Sequence, residues 1–269
     1  MQKGFVMESN CDTLTLLLAA KEIALAAGDI HLRYFRDPDL RIDAKFNDSD
    51  IVTTADKEAE SFIIGEILSR FPDSEILSEE SGEGGNARAR LRWIIDPLDG
   101  TTNFSQGLPM FSVSIGVQVD GLDTVGVVYA PKLGELFEAV AGKGAYLNGR
   151  PIECSGKRRL AEAVVATGFP VDKDTNPDNN LSQTVRIAPK LRGLRRLGSA
   201  ALDLCYVAAG FLDGYWEMNL HEWDVAAGRL IAAEAGALYS LWRPDRGISA
   251  VAGSPDIFTQ LSLELMKQH

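Results

Sequence analysis

Cysteine and histidine are scarce in this chain, and both scarcities narrow what it can be. The three cysteines, Cys11, Cys154 and Cys205, are odd in number and far apart among 269 residues. No Cys-x-x-Cys pair occurs, so a disulfide framework and a thiolate zinc site are both unsupported, and a reducing cytoplasm is the simplest setting. His31, His221 and His269 are too few for a histidine-based metal centre, so any metal must be held by carboxylates. Long apolar runs are missing too. The most apolar early stretch, Leu14 to Ala27, contains Lys21 and Glu22 and no basic leader, which marks an amphipathic helix rather than a signal peptide or membrane span. Basic residues are the minority charge, 27 against 38 acidic, for a net charge of −11. That balance argues against non-specific affinity for nucleic acid or an anionic membrane. An acidic protein can still act on phosphates when bound cations reverse the local field. A Gly-x4-Gly-Lys-Ser/Thr phosphate loop, internal repeats, linkers and low-complexity tracts are all absent.

What is present is a mixed pattern. Apolar residues at helical spacing between 12 and 36 (Leu14, Leu17, Leu18, Leu25, Leu32, Phe35) predict a helix ending before Pro38. A second helix is predicted from Ala55 to Phe71, with Phe62, Ile63, Ile67 and Phe71 on one face. Glu75 to Leu77 and Leu91 to Ile95 have the texture of short buried strands. Residues 111–119 alternate, Asp120-Gly121 turns, and Thr124 to Tyr129 returns; Leu136 to Val140 and Ala145 to Leu147 extend this antiparallel meander. Beyond Ala163, strand-like segments (163–167, 214–218, 238–242, 250–252) alternate with helical ones (185–191, 200–209, 223–235, 255–267). The pattern is α+β over residues 1–155 and βαβ-like over 156–269, two halves of one integrated unit.

The most informative stretch is Trp93-Ile-Ile-Asp-Pro-Leu-Asp-Gly-Thr-Thr-Asn-Phe104. An apolar strand ends in two carboxylates, Asp96 and Asp99, followed at once by Gly100, Thr101 and Thr102. Hard oxygen ligands beside free backbone amides suit magnesium next to a phosphate. Three other segments place carboxylates similarly: Glu79 and Glu80 after a strand, Asp56 at a helix start, and Asp224 at another. Taken singly, an Asp at a helix start is an N-cap, a Glu-Glu pair is solvated surface, and Asp-Gly is a turn. Asp96 and Asp99 resist that explanation, because burying acids at a strand end is costly without a partner. A metal is the economical partner, with Arg92 or distant basic residues as the alternative. The spacing also excludes two other chemistries. An EF-hand loop needs ligands at alternate positions, and an Asp-x-Asp phosphoenzyme motif places its aspartates two apart, whereas here the gap is three.

Asp96-Pro-Leu-Asp99-Gly-Thr-Thr-Asn-Phe104 resembles the first signature of the inositol monophosphatase family, and Trp223-Asp224-Val-Ala-Ala-Gly228 resembles the second. Asp50-Ile-Val-Thr-Thr-Ala-Asp56 and Ser78-Glu79-Glu80-Ser81 match two further blocks in the right order, so the resemblance spans Leu14 to the C-terminus. It implies a layered αβαβα sandwich and a magnesium-dependent phosphomonoesterase, commonly a homodimer and often lithium-sensitive. Carried over by position, Glu79, Asp96 and the Leu98 carbonyl would hold one Mg2+, and Asp96, Asp99 and Asp224 a second. A weaker third would lie near Glu79. Thr101, with Asp56 behind it, would orient the metal-activated water, Glu79 would share in catalysis, and the amides of Gly100 and Thr101 would hold phosphate oxygens. Polyol hydroxyls would meet Asp99, Ser199, the Ala200 backbone, Glu217 and Asp224. Lys45 would be a basic neighbour of the site or simply a solvated lysine.

Thr102-Asn103 is similar to the inositol and fructose-bisphosphate branches of the family, since a Lys after the first Thr would mark others. Gln106 departs from the His common after Asn-Phe and puts one peripheral contact in doubt. The implied substrate is a small phosphorylated polyol, first inositol-1-phosphate, with histidinol phosphate and fructose 1,6-bisphosphate as alternatives. A non-catalytic binding protein that keeps the fold is the alternative of a different class; Lys190, Arg192, Arg195 and Arg196 would then face a partner such as RNA.

Overall fold

The computed structural model describes residues 12–45 and 50–267; Cys11 and His269 lie outside the described residues. The chain begins with α1 (Thr13–Tyr34), a small hairpin of β1 (Ile42–Ala44) and β2 (Ile51–Thr53), and α2 (Thr54–Arg70). Next come β3 (Ser74–Ser78), β4 (Gly82–Gly85), β5 (Leu91–Asp99) and the short α3 (Thr101–Ser105). The meander is β6 (Ser112–Val119), β7 (Leu122–Ala130), β8 (Glu135–Val140), β9 (Ala145–Leu147) and β10 (Arg150–Ile152). The remainder is β11 (Val164–Thr167), α4 (Leu181–Ile187), β12 (Gly193–Arg195), α5 (Ala200–Ala208), β13 (Gly214–Leu220), α6 (Glu222–Glu234), β14 (Leu238–Arg243), β15 (Ile248–Gly253) and α7 (Pro255–Leu265).

These elements stack in five layers. An eight-stranded sheet, ordered β10-β9-β8-β7-β6-β5-β3-β4, is covered by α1 and α2 on one face and by α6 on the other. A five-stranded sheet, β12-β11-β13-β15-β14, packs against α5 and α6 and is closed by α7. The result is the expected αβαβα sandwich, with both sheets buried on two faces.

Two expectations change on inspection. The first helix does not bury the leucines that its periodicity suggested. Leu14, Leu18, Leu25 and Leu32 are 39–55% exposed, while Leu16, Ala19, Ala20, Ile23, Ala24, Ala27 and Ile30 form the buried face. Close approach of a helix to a sheet favours alanine, so alanines fill the buried face between Leu16, Ile23 and Ile30, and the four leucines lie on the outer face. The second change concerns β6. Its sequence alternates as if one face met water, yet seven of its eight residues are buried. Val113, Ile115 and Val117 pack towards α1 and α2. Ser114 and Gly116 face α6, where a Cβ on Gly116 would come within 2.8 Å of the Ala226 Cβ. The polar half of the alternation is a small-residue surface for a helix rather than a solvated one.

Candidate active site

The strand β5 continues through Asp96 to Asp99 rather than stopping at Ile95, and its pairing with β6 shifts register between those two aspartates. Such an irregularity re-aims side chains. With Pro97 between them, both carboxylates turn towards the N-terminus of α6. Asp96, Asp99 and Asp224 each offer an oxygen, and these lie within 4.8 Å of one another. Asp96 and Asp99 are buried. Burial, then the charges of Glu79, Asp99 and Asp224, push the Asp96 carboxyl well above its ordinary value. Asp99 is pushed up to about 7, by burial first and by Asp224 and Glu79 beyond that, against the hydrogen bonds of Ser199 and Ala201. Buried acids that face one another need a cation between them. An all-oxygen, carboxylate-rich donor set suits magnesium, and its fit here rests on the convergence of these three acids, of which Asp96 also accepts the Leu98 amide at 3.0 Å.

Asp56 and Asp224 were expected at helix starts, and both sit three residues after the cap, as the acidic member of a capping box. Asp56 Oδ2 accepts the Thr53 amide at 2.8 Å, and its Oδ1 accepts the Thr101 hydroxyl at 2.9 Å. Asp224 Oδ2 accepts the His221 amide at 2.6 Å. Capping thus leaves Asp56 bonded to Thr101 and Asp224 among the converging acids. Burial raises the Asp56 carboxyl, partly offset by its bonds to Thr53 and Thr101. Thr101 Oγ also lies 2.9 Å from the carbonyl of Leu98, whose own side chain is fully buried. Gly100 precedes α3 with φ of 89°, and a Cβ there would meet the Met110 carbonyl at 2.8 Å. Only glycine suits both conditions. The first amides of α3 have no intrahelical acceptor.

Glu79 follows β3 beside β5. Lys45 Nζ donates to Glu79 Oε1 at 2.8 Å and also binds Glu80. Burial opposes the lysine's charge, but the two glutamates outweigh it and raise its affinity for its proton. Lys45 is therefore an ion-paired part of the site wall, not a solvated lysine. Burial raises the Glu79 carboxyl, with Asp224 adding to it and Lys45 opposing it. The turn carrying these glutamates is held from behind by Glu60, which sequence inspection missed. Glu60 Oε1 accepts the Ser78 hydroxyl, the Ser81 amide and hydroxyl at 3.1 Å, and the Glu80 amide at 3.2 Å. Its spacing of four from Asp56 on α2 was the available signal, since residues so spaced share a helix face.

Opposite the acids, α5 presents its N-terminus to Asp99. Ser199 Oγ donates to Asp99 Oδ2 at 2.5 Å, and the amides of Ala201 and Ala200 reach the same carboxylate at 2.8 and 3.3 Å. Ser199 also caps α5 by accepting the Leu202 amide. A cavity of about 350 Å³ opens here, lined among others by Lys45, Glu79, Asp99, Arg196, Glu217 and Asp224. Glu217 is pushed up to about 7 by burial, its Tyr215 bond opposing and Asp224 adding. Two further residues of its rim, His221 and Trp223, stack at 4.6 Å. The basic cluster divides: Lys190 pairs with Glu264 on α7, while Arg196 lines the cavity. Asn103 ties the β5 motif to the second half, donating from Nδ2 to the carbonyls of Met110 and Leu197, both at 2.7 Å.

The model of the inositol monophosphatase family matches residues 12–262. A Synechocystis protein named inositol-1-monophosphatase is 44% identical over 234 residues, covering 87% of this chain and 81% of that one. A Pasteurella multocida protein named Nus factor SuhB is 45% identical over 224 residues, covering 83% and 84%. The solved inositol monophosphatase from Anabaena (Nostoc) superposes with a TM-score of 0.84 at 39% identity, covering 94% of this chain and 96% of that one.

Proposed function

The chain belongs to the inositol monophosphatase family and is a phosphatase by that membership; from this premise we propose that it hydrolyses a small polyol phosphate monoester, inositol-1-phosphate first, with magnesium. The observation that carries the reading is the convergence of Asp96, Asp99 and Asp224 beside the hydrogen-bonded pair of Thr101 and Asp56. Asp96, Asp99, Asp224, Glu79 and the Leu98 carbonyl would hold two magnesium ions, with a third site near Glu79. Bound there, magnesium would supply charge neutralisation for the ester and a more acidic water.

The chain's own groups do the rest. Thr101 Oγ donates its proton to Asp56 Oδ1 and keeps lone pairs free to accept one from the attacking water. Asp56 is a better proton acceptor than an exposed aspartate, because its burial raises its affinity for protons. The amides of Gly100 and Thr101 hold phosphate oxygens. Attack is direct and in line, with no phosphorylated residue. Lys45 keeps the Glu79–Glu80 turn charge-balanced. Asp99, the Ala200 backbone, Glu217 and Asp224 meet the hydroxyls of the leaving alcohol, with Ser199 bracing Asp99 among them.

Steady-state phosphate release from inositol-1-phosphate, histidinol phosphate and fructose 1,6-bisphosphate tests this. Inositol-1-phosphate should show the highest kcat/KM; far more efficient turnover of histidinol phosphate would overturn the substrate choice. Homodimerisation is part of the proposal on family grounds, and a sedimenting species of monomer mass would contradict it. A second reading, service to a macromolecular partner in transcription, draws on the name of the Pasteurella relative. Absence of hydrolysis on every substrate would favour it.

A further inference from the structure

Glu217 reaches the cavity from β13, and its position depends on residues that touch no substrate. Tyr215 lies two positions earlier, on the same face of the strand, and is fully buried. Its hydroxyl donates to Glu217 Oε2 at 2.8 Å. The carboxylate rests directly against Gly168, just past the end of β11. A Cβ at Gly168 would lie 1.9 Å from Glu217 Oε1 and 2.1 Å from Oε2. Any side chain there would expel the carboxylate from its place.

Gly168 is itself pinned. Asn180, fully buried, donates from Nδ2 to the Gly168 carbonyl at 2.6 Å and to Thr167 Oγ at 2.8 Å. Asn180 Oδ1 accepts the Trp216 indole at 2.8 Å, and the Thr167 hydroxyl donates to the Trp216 carbonyl at 2.7 Å. The end of β11 is thus clamped to the residue preceding Glu217. We infer that Tyr215 and Gly168 are positioning residues that set substrate choice, by holding the Glu217 carboxylate where it accepts hydroxyl hydrogen bonds from a polyol phosphate. This rests on the polyol reading above and adds the residues that enforce it. A preorganised acceptor contributes selectivity only while its pose is held.

The test compares Tyr215→Phe, Gly168→Ala and, as reference, Glu217→Ala on inositol-1-phosphate and on p-nitrophenyl phosphate, whose leaving group carries no hydroxyls beyond the scissile oxygen. Tyr215→Phe should raise KM for inositol-1-phosphate about ten- to a hundredfold, the worth of one hydrogen bond to a charged group, with kcat held within about twofold. Gly168→Ala should raise it as far as Glu217→Ala does. None of the three should change KM for p-nitrophenyl phosphate, and in the Glu217→Ala background Tyr215→Phe should add nothing. Tyr215→Phe removes a single oxygen, so it decides the matter even if Gly168→Ala fails to fold. Discrimination between the two substrates by Glu217→Ala, with equal effects of Tyr215→Phe on both or none at all, would overturn the inference and leave the polyol reading standing. No discrimination by Glu217→Ala would overturn both.

Discussion

Replacing Asp99 by Asn should stabilise the metal-free protein while destroying its activity. Asp99 is raised from 3.8 to about 7 by burial and by neighbouring acids. A carboxyl whose native pKa is raised contributes stability that is complete below its unfolded value. That contribution fades as pH rises and is gone above the native value. At about pH 8 the charged Asp99 therefore costs on the order of 4 kcal/mol relative to a neutral side chain of the same shape. Asn removes the charge but weakens the bonds from Ser199 and Ala201, so a net gain of roughly 2–3 kcal/mol is expected. For a chain of this size that is on the order of 5–10 °C in Tm. The assay is thermal unfolding in EDTA at two pH values, one near 8 and one near 5. The variant should melt above the wild type at the higher pH, and the gap should narrow at the lower. Magnesium should then stabilise the wild type far more than the variant. A variant that melts at or below the wild type in EDTA at the higher pH would refute this electrostatic reasoning.

Thr101→Ala removes the hydroxyl between Asp56 and the attacking water; kcat for phosphate release should fall by about 10²- to 10⁴-fold with little change in KM. Glu60→Ala releases the amides and hydroxyls of the 78–81 turn, and should weaken metal binding, measured calorimetrically, by about tenfold or more. His31 is buried against Phe104 and Phe111, and burial lowers its pKa from 6.5 to about 3. The native state resists a proton that the unfolded chain accepts, so its contribution to stability is lost as pH falls from 6.5 towards 3. His31→Leu should flatten the acid side of the pH–stability curve relative to wild type, in urea unfolding followed from pH 7 down to about 4.

The candidate site was most legible where one short segment holds several of its residues. Asp96, Asp99, Gly100 and Thr101 lie within six residues, and the cost of burying acids at a strand end pointed to their role. Asp56 and Asp224 were legible as helix starts, and the structure adds that each caps its helix while Asp56 also bonds Thr101 and Asp224 also meets Asp96 and Asp99. Glu60 and Asn180 were not legible, because each acts across a gap that only the fold closes: Glu60 on Ser78 and Ser81, Asn180 on Trp216; Tyr215 stands only two positions before Glu217, and its hydroxyl carries no sequence signal apart from that of any strand tyrosine. Gly168 matters only through the Glu217 carboxylate lying against it. The face of α1 was misjudged because leucine is the stronger apolar signal, while close packing on a sheet selects alanine. The alternation in β6 was seen correctly as a pattern, but its small residues meet α6 rather than water.

The most direct measurement is phosphate release from inositol-1-phosphate by the wild type and by Asp96→Asn, each with magnesium and with EDTA. Turnover by the wild type with magnesium alone, lost in EDTA and lost in Asp96→Asn under both conditions, is the predicted result. Undiminished release in EDTA, or full activity in Asp96→Asn, would contradict the claim that this carboxylate cluster is a catalytic metal site.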